Sequence, residues 1–235
     1  MLFAFQQGSA SSVVAFVAIC LAILTSFLLA VWMTTTPRRQ AVRVVAVLAS
    51  GMALYGLTIA GIVVSGIFET AFVPFGPLFL VVTIAIAISI GFSRPGIRIA
   101  AGIPLAWLVG FQSFRLPLEI VLHDWYLTGT IPESMTWSGS NWDIISGIVA
   151  LAVCPFVSRW RALAWIANVV GIVLLVNVVR VAILSSPVPF GWDLEPKLEL
   201  IAYLPYAFIV PICVGGAALE HVLLTRRLLI LSRLP

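Results

Sequence analysis

Hydrophobic positions in this chain do not alternate, and they do not form one-sided helical stripes. They come in long, nearly unbroken runs separated by short polar clusters. Seven such runs can be drawn, at residues 12–33, 42–66, 72–92, 99–122, 143–157, 162–184 and 200–224. A helix needs about 20 apolar residues to cross a hydrocarbon core of about 30 Å, and most of these runs meet that length. The fifth is short, with Pro155 near its end, and the second and third are joined by a brief link at 68–70. The pattern predicts an all-α fold: a polytopic integral membrane helix bundle with seven transmembrane helices, forming one transmembrane domain over residues 1–235. Bends are expected near Pro104, Pro117, Pro205 and Pro211, because membrane helices tolerate proline where neighbours satisfy the freed carbonyls. Residues 1–12 carry no charged side chain, so the first run is read as a retained span and not as a cleaved signal.

Composition narrows the class further. The 235 residues are 62% hydrophobic and 9% charged, against about 25% charged in an ordinary soluble domain. That excludes a soluble globular domain, a disordered chain, a collagen and a disulfide scaffold. The three cysteines (Cys20, Cys154, Cys213) all lie inside apolar runs, so they are expected to be small buried hydrophobes and neither disulfides nor metal ligands. Seventeen glycines scattered through the runs suit close helix-to-helix approach.

The charges supply a test that hydropathy did not use. With the N-terminus outside, the inner loops and tail hold Arg38, Arg39, Arg43, Arg94, Arg98, Arg159, Arg161, Arg226, Arg227 and Arg233, ten of the thirteen basic residues. The outer side then holds Arg115, Arg180 and Lys197, together with every acid except Glu220. This sorting follows the positive-inside rule and predicts an N-out, C-in topology. The net charge of +4 is therefore a sum over two faces. No basic stripe suits a nucleic acid, and no such partner is expected. The two longest connections, at 123–142 and 185–199, fall on the outer side and mix aromatics with Gly, Pro and acids.

Charges that topology does not explain are the candidates for chemistry. Arg115, Glu119 and His123 are four apart and share one face of the fourth run. Asn177 and Arg180 share a face of the sixth. An arginine inside an apolar helix costs about 2.5–3.5 kcal/mol on insertion scales, which partners in a shared interior offset. The expectation is an outward-facing polar pocket about one turn below the outer boundary, with Arg115, Glu119, Asp143, Asn177 and Arg180 as ligand-binding residues and His123 beside them. Two arginines suit an anionic group on a peptide or lipid-linked ligand. A purely structural ion pair is the alternative for Arg115 and Glu119, and snorkelling to the interface is the alternative for Arg180. Glu220 and His221 are expected at the inner end of the last run, paired with Arg226 or Arg227. No metal site and no cofactor is expected: the last run has no Lys for a Schiff base, and neither an HExxH motif nor a Gly-rich phosphate loop occurs.

Two resemblances arise from these residues. The stretch FRLPLEIVLHDWYLTGTIPESMTWSGSNWDIISGIVA (114–150), with the later NVVRVAILSSPVPF and LEPKLELIAYLPYAFIVP, resembles a family of uncharacterised bacterial multi-span membrane proteins. That resemblance covers the C-terminal half and implies a bacterial cytoplasmic (inner) membrane location, with no known activity. Asn177 and Arg180 also resemble the Arg motif of the exosortase and archaeosortase group of membrane transpeptidases. There Trp137-Ser138-Gly139 stands where that group has Cys-Ser-Gly, without the cysteine. This second resemblance implies His123, Ser138 and Arg180 as catalytic candidates. Three functions stay open: exosortase-like processing of a peptide or lipid-linked envelope substrate, a non-catalytic envelope binding or assembly factor, and a small transporter.

Overall fold

A computed structural model describes residues 5–232, which puts Arg233 outside the described residues. The fold is all-α, with no strand among those residues. Ser9 opens α1 (Ala10–Thr34): its hydroxyl accepts the backbone N–H of Ser12, satisfying one of the free donors at the helix start. The chain continues through α2 (Arg38–Val64), the single turn α3 (Ile67–Thr70) and α4 (Phe72–Phe92). A short α5 (Arg94–Gly102) ends before Pro104, and α6 (Leu105–Phe111) passes through the 3-10 turn Gln112–Phe114 into α7 (Arg115–Leu127). Then come α8 (Ile144–Val153), extended by the turn Cys154–Phe156, and α9 (Arg161–Ser185). The 3-10 turn Tyr206–Phe208 and the π-turn Ile209–Val214 lead into α10 (Gly215–Ser232).

Six segments are long and apolar enough to cross a membrane: Ala10–Thr34, Arg38–Val64, Phe72–Phe92, Leu105–Leu127, Arg161–Ser185 and Tyr206–Ser232. The chain is a multi-pass membrane protein. Two of the expected spans shift. The fourth begins at Leu105 and not near Ile99, because Pro104 cannot donate into a continuous helix and the Arg-bearing α5 folds separately before it. The last begins at Tyr206, because Leu200–Ala202 forms only a 3-10 turn ahead of Pro205. The expected fifth span becomes the shorter apolar segment Ile144–Phe156, roughly 20 Å long at 1.5 Å per residue.

Of the expected proline bends, Pro104 divides α5 from α6, and Pro205 and Pro211 lie in the irregular start of the last segment. Pro117 sits in the first turn of α7, directly after the 3-10 turn Gln112–Phe114, and α7 continues unbroken beyond it.

Helix α10 is the axis of the bundle. It packs on α4, α5, α6 and α9. Helix α2 is the opposite case: only Ala41, Ile59 and Val63 are buried, and the rest of its apolar surface faces outward. Arginines gather at one end of the bundle. Arg226 donates to the carbonyls of Gly91 and Ser93, Arg227 to Ala101 and Arg161 to Leu231. These bonds satisfy the carbonyls that helix ends leave free.

Contacts of another kind hold the far end. The Gly8 N–H donates to the Tyr206 hydroxyl (2.9 Å), Ser9 donates to Asp124 (2.8 Å), and Ser134 and Ser185 share a hydrogen bond (2.7 Å). Burial raises the carboxyl pKa of Glu199 at this end above its usual range, and the neighbouring Glu195 and Glu69 raise it further.

Trp125 is fully buried at this end. It packs edge-on against Phe16 and Tyr206, and its indole N–H donates to Ser12 at 3.1 Å. Trp125→Ala should cost about 3–5 kcal/mol through the cavity it leaves. Leu127→Ala, at a 70% exposed position, should stay within about 0.5 kcal/mol. Thermal unfolding of the detergent-solubilised protein checks both. Equal losses would contradict this packing.

Candidate functional site

The site is built where three segments meet at mid-length. Arg115 is 1% exposed and lies near the middle of Leu105–Leu127. Its Nη1 donates to Asp143, which precedes α8, and to Ser146 in the first turn of α8 (3.1 Å). Ser146 in turn donates to Asp143 (3.0 Å). Helix α8 approaches α7 this closely because residue 147 is glycine: a Cβ there would lie 2.8 Å from the Leu116 side chain and 3.0 Å from its backbone nitrogen.

Asp143 reaches this depth because residues 128–143 turn back into the protein. The chain reverses at Gly129, whose φ of +77° suits glycine. It then descends past the fully buried Thr136 and Asn141. From Leu127 back to Arg115 is about 18 Å of helix, and the segment returns over that distance. Its polar groups are met inside the protein. Asn141 donates to Glu119 Oε1 (2.8 Å) and to the Met135 carbonyl (3.0 Å), and its Oδ1 accepts from the Asp143 N–H (3.1 Å). Irregular backbone at membrane depth is tolerated only when buried in this way.

On its other side Arg115 meets the last segment. Nη2 lies 3.1 Å from His221 Nε2, and His221 Nδ1 lies 2.9 Å from Asn168 Oδ1. A guanidinium only donates, so Nε2 is the acceptor and Nδ1 carries the proton, which it gives to Asn168. Asn168 then donates to Thr225 (2.7 Å), and Thr225 donates to the His221 carbonyl (2.8 Å). This chain of bonds therefore has one direction. It also needs Gly171: a Cβ at that position would overlap the His221 ring. The expected pairing of Glu220 and His221 with Arg226 or Arg227 does not form, because the shifted last segment carries His221 to mid-length and both arginines bind helix-end carbonyls. Glu220 is 1% exposed, with neither carboxyl oxygen hydrogen-bonded among the described residues.

The structure brings Arg115, Glu119 and Asp143 together and leaves the other candidates apart. Arg180 is exposed and, among the described residues, donates only to Asn177 (2.9 Å), while Asn177 donates to the Ser140 carbonyl (2.8 Å). His123 is half-buried and stacks on Trp137 at 4.3 Å. Ser138 bonds Thr136 (2.7 Å). No hydrogen bond joins His123, Ser138 and Arg180 among the described residues.

Ser138 lines a cavity of about 600 Å³ at the Asp124 end, beside Tyr126, Glu133 and Glu195. A narrower cavity of about 100 Å³ runs between α4 and α9. Pro77, Leu80, Leu175 and Ala182 are among its apolar walls, and Arg115, Glu119, Asn141, Asp143 and Ser186 are its polar residues.

Residues 73–229, about two thirds of the chain, match the family model described as a domain of unknown function (DUF8737). The chain belongs to this family. No curated protein and no solved structure matches it. The DUF8737 region runs from the start of α4 into α10. It therefore includes every residue of the buried cluster.

Asn141, Ser146, Asn168 and His221 are the cluster members that sequence reasoning missed or misplaced. A signal for two of them was present: Asn168 with Gly171, and His221 with Thr225, sit at i,i+3 and i,i+4 on single faces of apolar segments.

Removing one partner of a buried ion pair strands the other. Arg115→Leu should therefore destabilise the DUF8737 protein by about 3–5 kcal/mol, and adding Asp143→Leu should restore much of that loss. Thermal unfolding of Arg115→Leu, Asp143→Leu and the double variant decides it. A double variant as unstable as the sum of the two single changes would contradict the pairing.

Proposed function

We propose that this DUF8737 protein is a bacterial inner-membrane protein that binds an amphipathic, lipid-linked ligand of the cell envelope and hands it on without chemistry of its own. One observation carries the reading: the narrow cavity between α4 and α9 has apolar walls and a polar floor of Arg115, Glu119, Asn141 and Asp143. Sites for small amphipathic molecules have this composition, mostly apolar with a few placed polar groups.

In this reading the chain crosses the membrane seven times, N-out and C-in. The fifth crossing is made by the descending residues 128–143 together with Ile144–Phe156. The gathering of Arg161, Arg226 and Arg227 at one end supports that end being cytoplasmic. Exosortase-like processing has less support, because His123, Ser138 and Arg180 share no hydrogen bond. A transporter is the second reading. The chain Arg115–His221–Asn168–Thr225 carries polar groups toward the basic end, a continuation that the sequence pattern did not suggest.

Native mass spectrometry of the protein extracted in mild detergent tests the ligand. The wild type and Arg180→Leu should retain a lipid, and Ala182→Trp, which fills the cavity wall, should lose it while unfolding at the same temperature. Equal retention by Ala182→Trp, or no retained lipid in any form, would contradict the reading. The topology is tested by single cysteines replacing Ser138 and Arg39. They should react with a membrane-impermeant thiol reagent from opposite sides, and labelling from one side would contradict seven crossings.

A further inference from the structure

We infer that the head of the ligand is a small hydroxyl group, entering sideways from the lipid between α4 and α9 and donating to Glu119, and that it is not a phosphate. This rests on the ligand-binding reading above and names the ligand class.

Three of the five N–H donors of Arg115 are already committed. Nη1 serves Asp143 and Ser146, and Nη2 serves His221. Among the described residues, Nε is the one guanidinium nitrogen without a partner. The free acceptor is more telling. Glu119 is 2% exposed and lines the cavity; its Oε1 accepts from Asn141, and its Oε2 accepts from nothing among the described residues. Buried acceptors are almost always satisfied, so an incoming group that brings a donor fits here. A phosphate brings negative charge instead. It would meet the carboxyls of Glu119 and Asp143 in a low-dielectric interior against a single guanidinium that Asp143 already engages.

Shape argues the same way. Helices α4 and α9 each pack on α10 and not substantially on each other, which leaves a slot between them. Next in sequence to the lining residues Leu80 and Leu175, Val81 and Val176 are 61% and 64% exposed. The cavity behind the rim, about 100 Å³, admits a slender chain and not a bulky head. The ligand class is therefore a single-chain lipid alcohol.

The experiment uses the full-length protein in phosphatidylcholine vesicles with two photoreactive probes of equal chain length. Each carries a diazirine in its chain; one ends in a hydroxyl and the other in a phosphate. The hydroxyl probe should crosslink to the cavity-facing residues of α4 and α9 about tenfold more than the phosphate probe, the ratio that a modest difference in binding free energy produces. Excess unlabelled alcohol should compete it away. Glu119→Gln replaces the acceptor with a donor at nearly the same shape, so it should narrow or reverse the preference. Stronger labelling by the phosphate probe would overturn this inference and leave the amphiphile-binding function standing. Equal labelling by both probes would overturn it as well. Labelling of the cavity by neither probe would overturn both.

Discussion

A guanidinium inside an apolar bundle must be matched on every side, and much of this architecture follows from matching Arg115. Its charge is met by Asp143, Nη1 also serves Ser146 and Nη2 serves His221, while Nε has no partner among the described residues. Each partner imposes something on the fold. Asp143 must be carried deep into the protein, which requires the returning segment 128–143 and a short α8 in place of a full span. His221 must present Nε2, which requires Asn168 opposite Nδ1 and glycine at 171. Isolated buried charges cost many kcal/mol, whereas paired and hydrogen-bonded ones are retained. The cluster therefore fixes the relative positions of α7, α8, α9 and α10.

The same cluster leaves two kinds of groups unmatched, and those define what the site is suited to bind. Glu119 Oε2 faces no donor, and Glu220 has no hydrogen bond at either oxygen. Glu119 lines a cavity and Glu220 does not. In the proposed reading binding is directed to the α4–α9 slot, while His221 and Asn168 hold the guanidinium from behind.

Much of the fold was legible in the chain. Runs of apolar residues gave the helices, and Phe72–Phe92 coincides with its expected span. What failed was placement next to proline and in short apolar stretches. The run that begins near Ile99 is one hydrophobic segment by composition but two helices by backbone chemistry, since Pro104 interrupts it. That shift moves Arg115 from a turn below the surface to the middle of its segment. The run from Leu200 behaves likewise, and its shift moves His221 from the end to the interior. At the site, the stacking of Arg115 and Glu119 on one helical face was legible from spacing. The approach of Asp143 was readable only as a possibility of chemistry, and the link to His221 was hidden, because no local pattern tells that a polar residue on one apolar helix will meet a charge on another. Arg180 shows the converse: its spacing with Asn177 suggested an interior role, yet an exposed arginine near a helix end needs no buried partner.

The most direct test of this account is the protonation pattern of one ring. The chain has only two histidines, His123 and His221, so ¹⁵N-histidine labelling with His123→Gln isolates His221 in solid-state NMR of the protein in lipid. The account requires a neutral ring with the proton on Nδ1 and a bare Nε2 that accepts from Arg115, a pattern that Arg115→Leu should disturb. A ring protonated on Nε2, or one unchanged by Arg115→Leu, would contradict it.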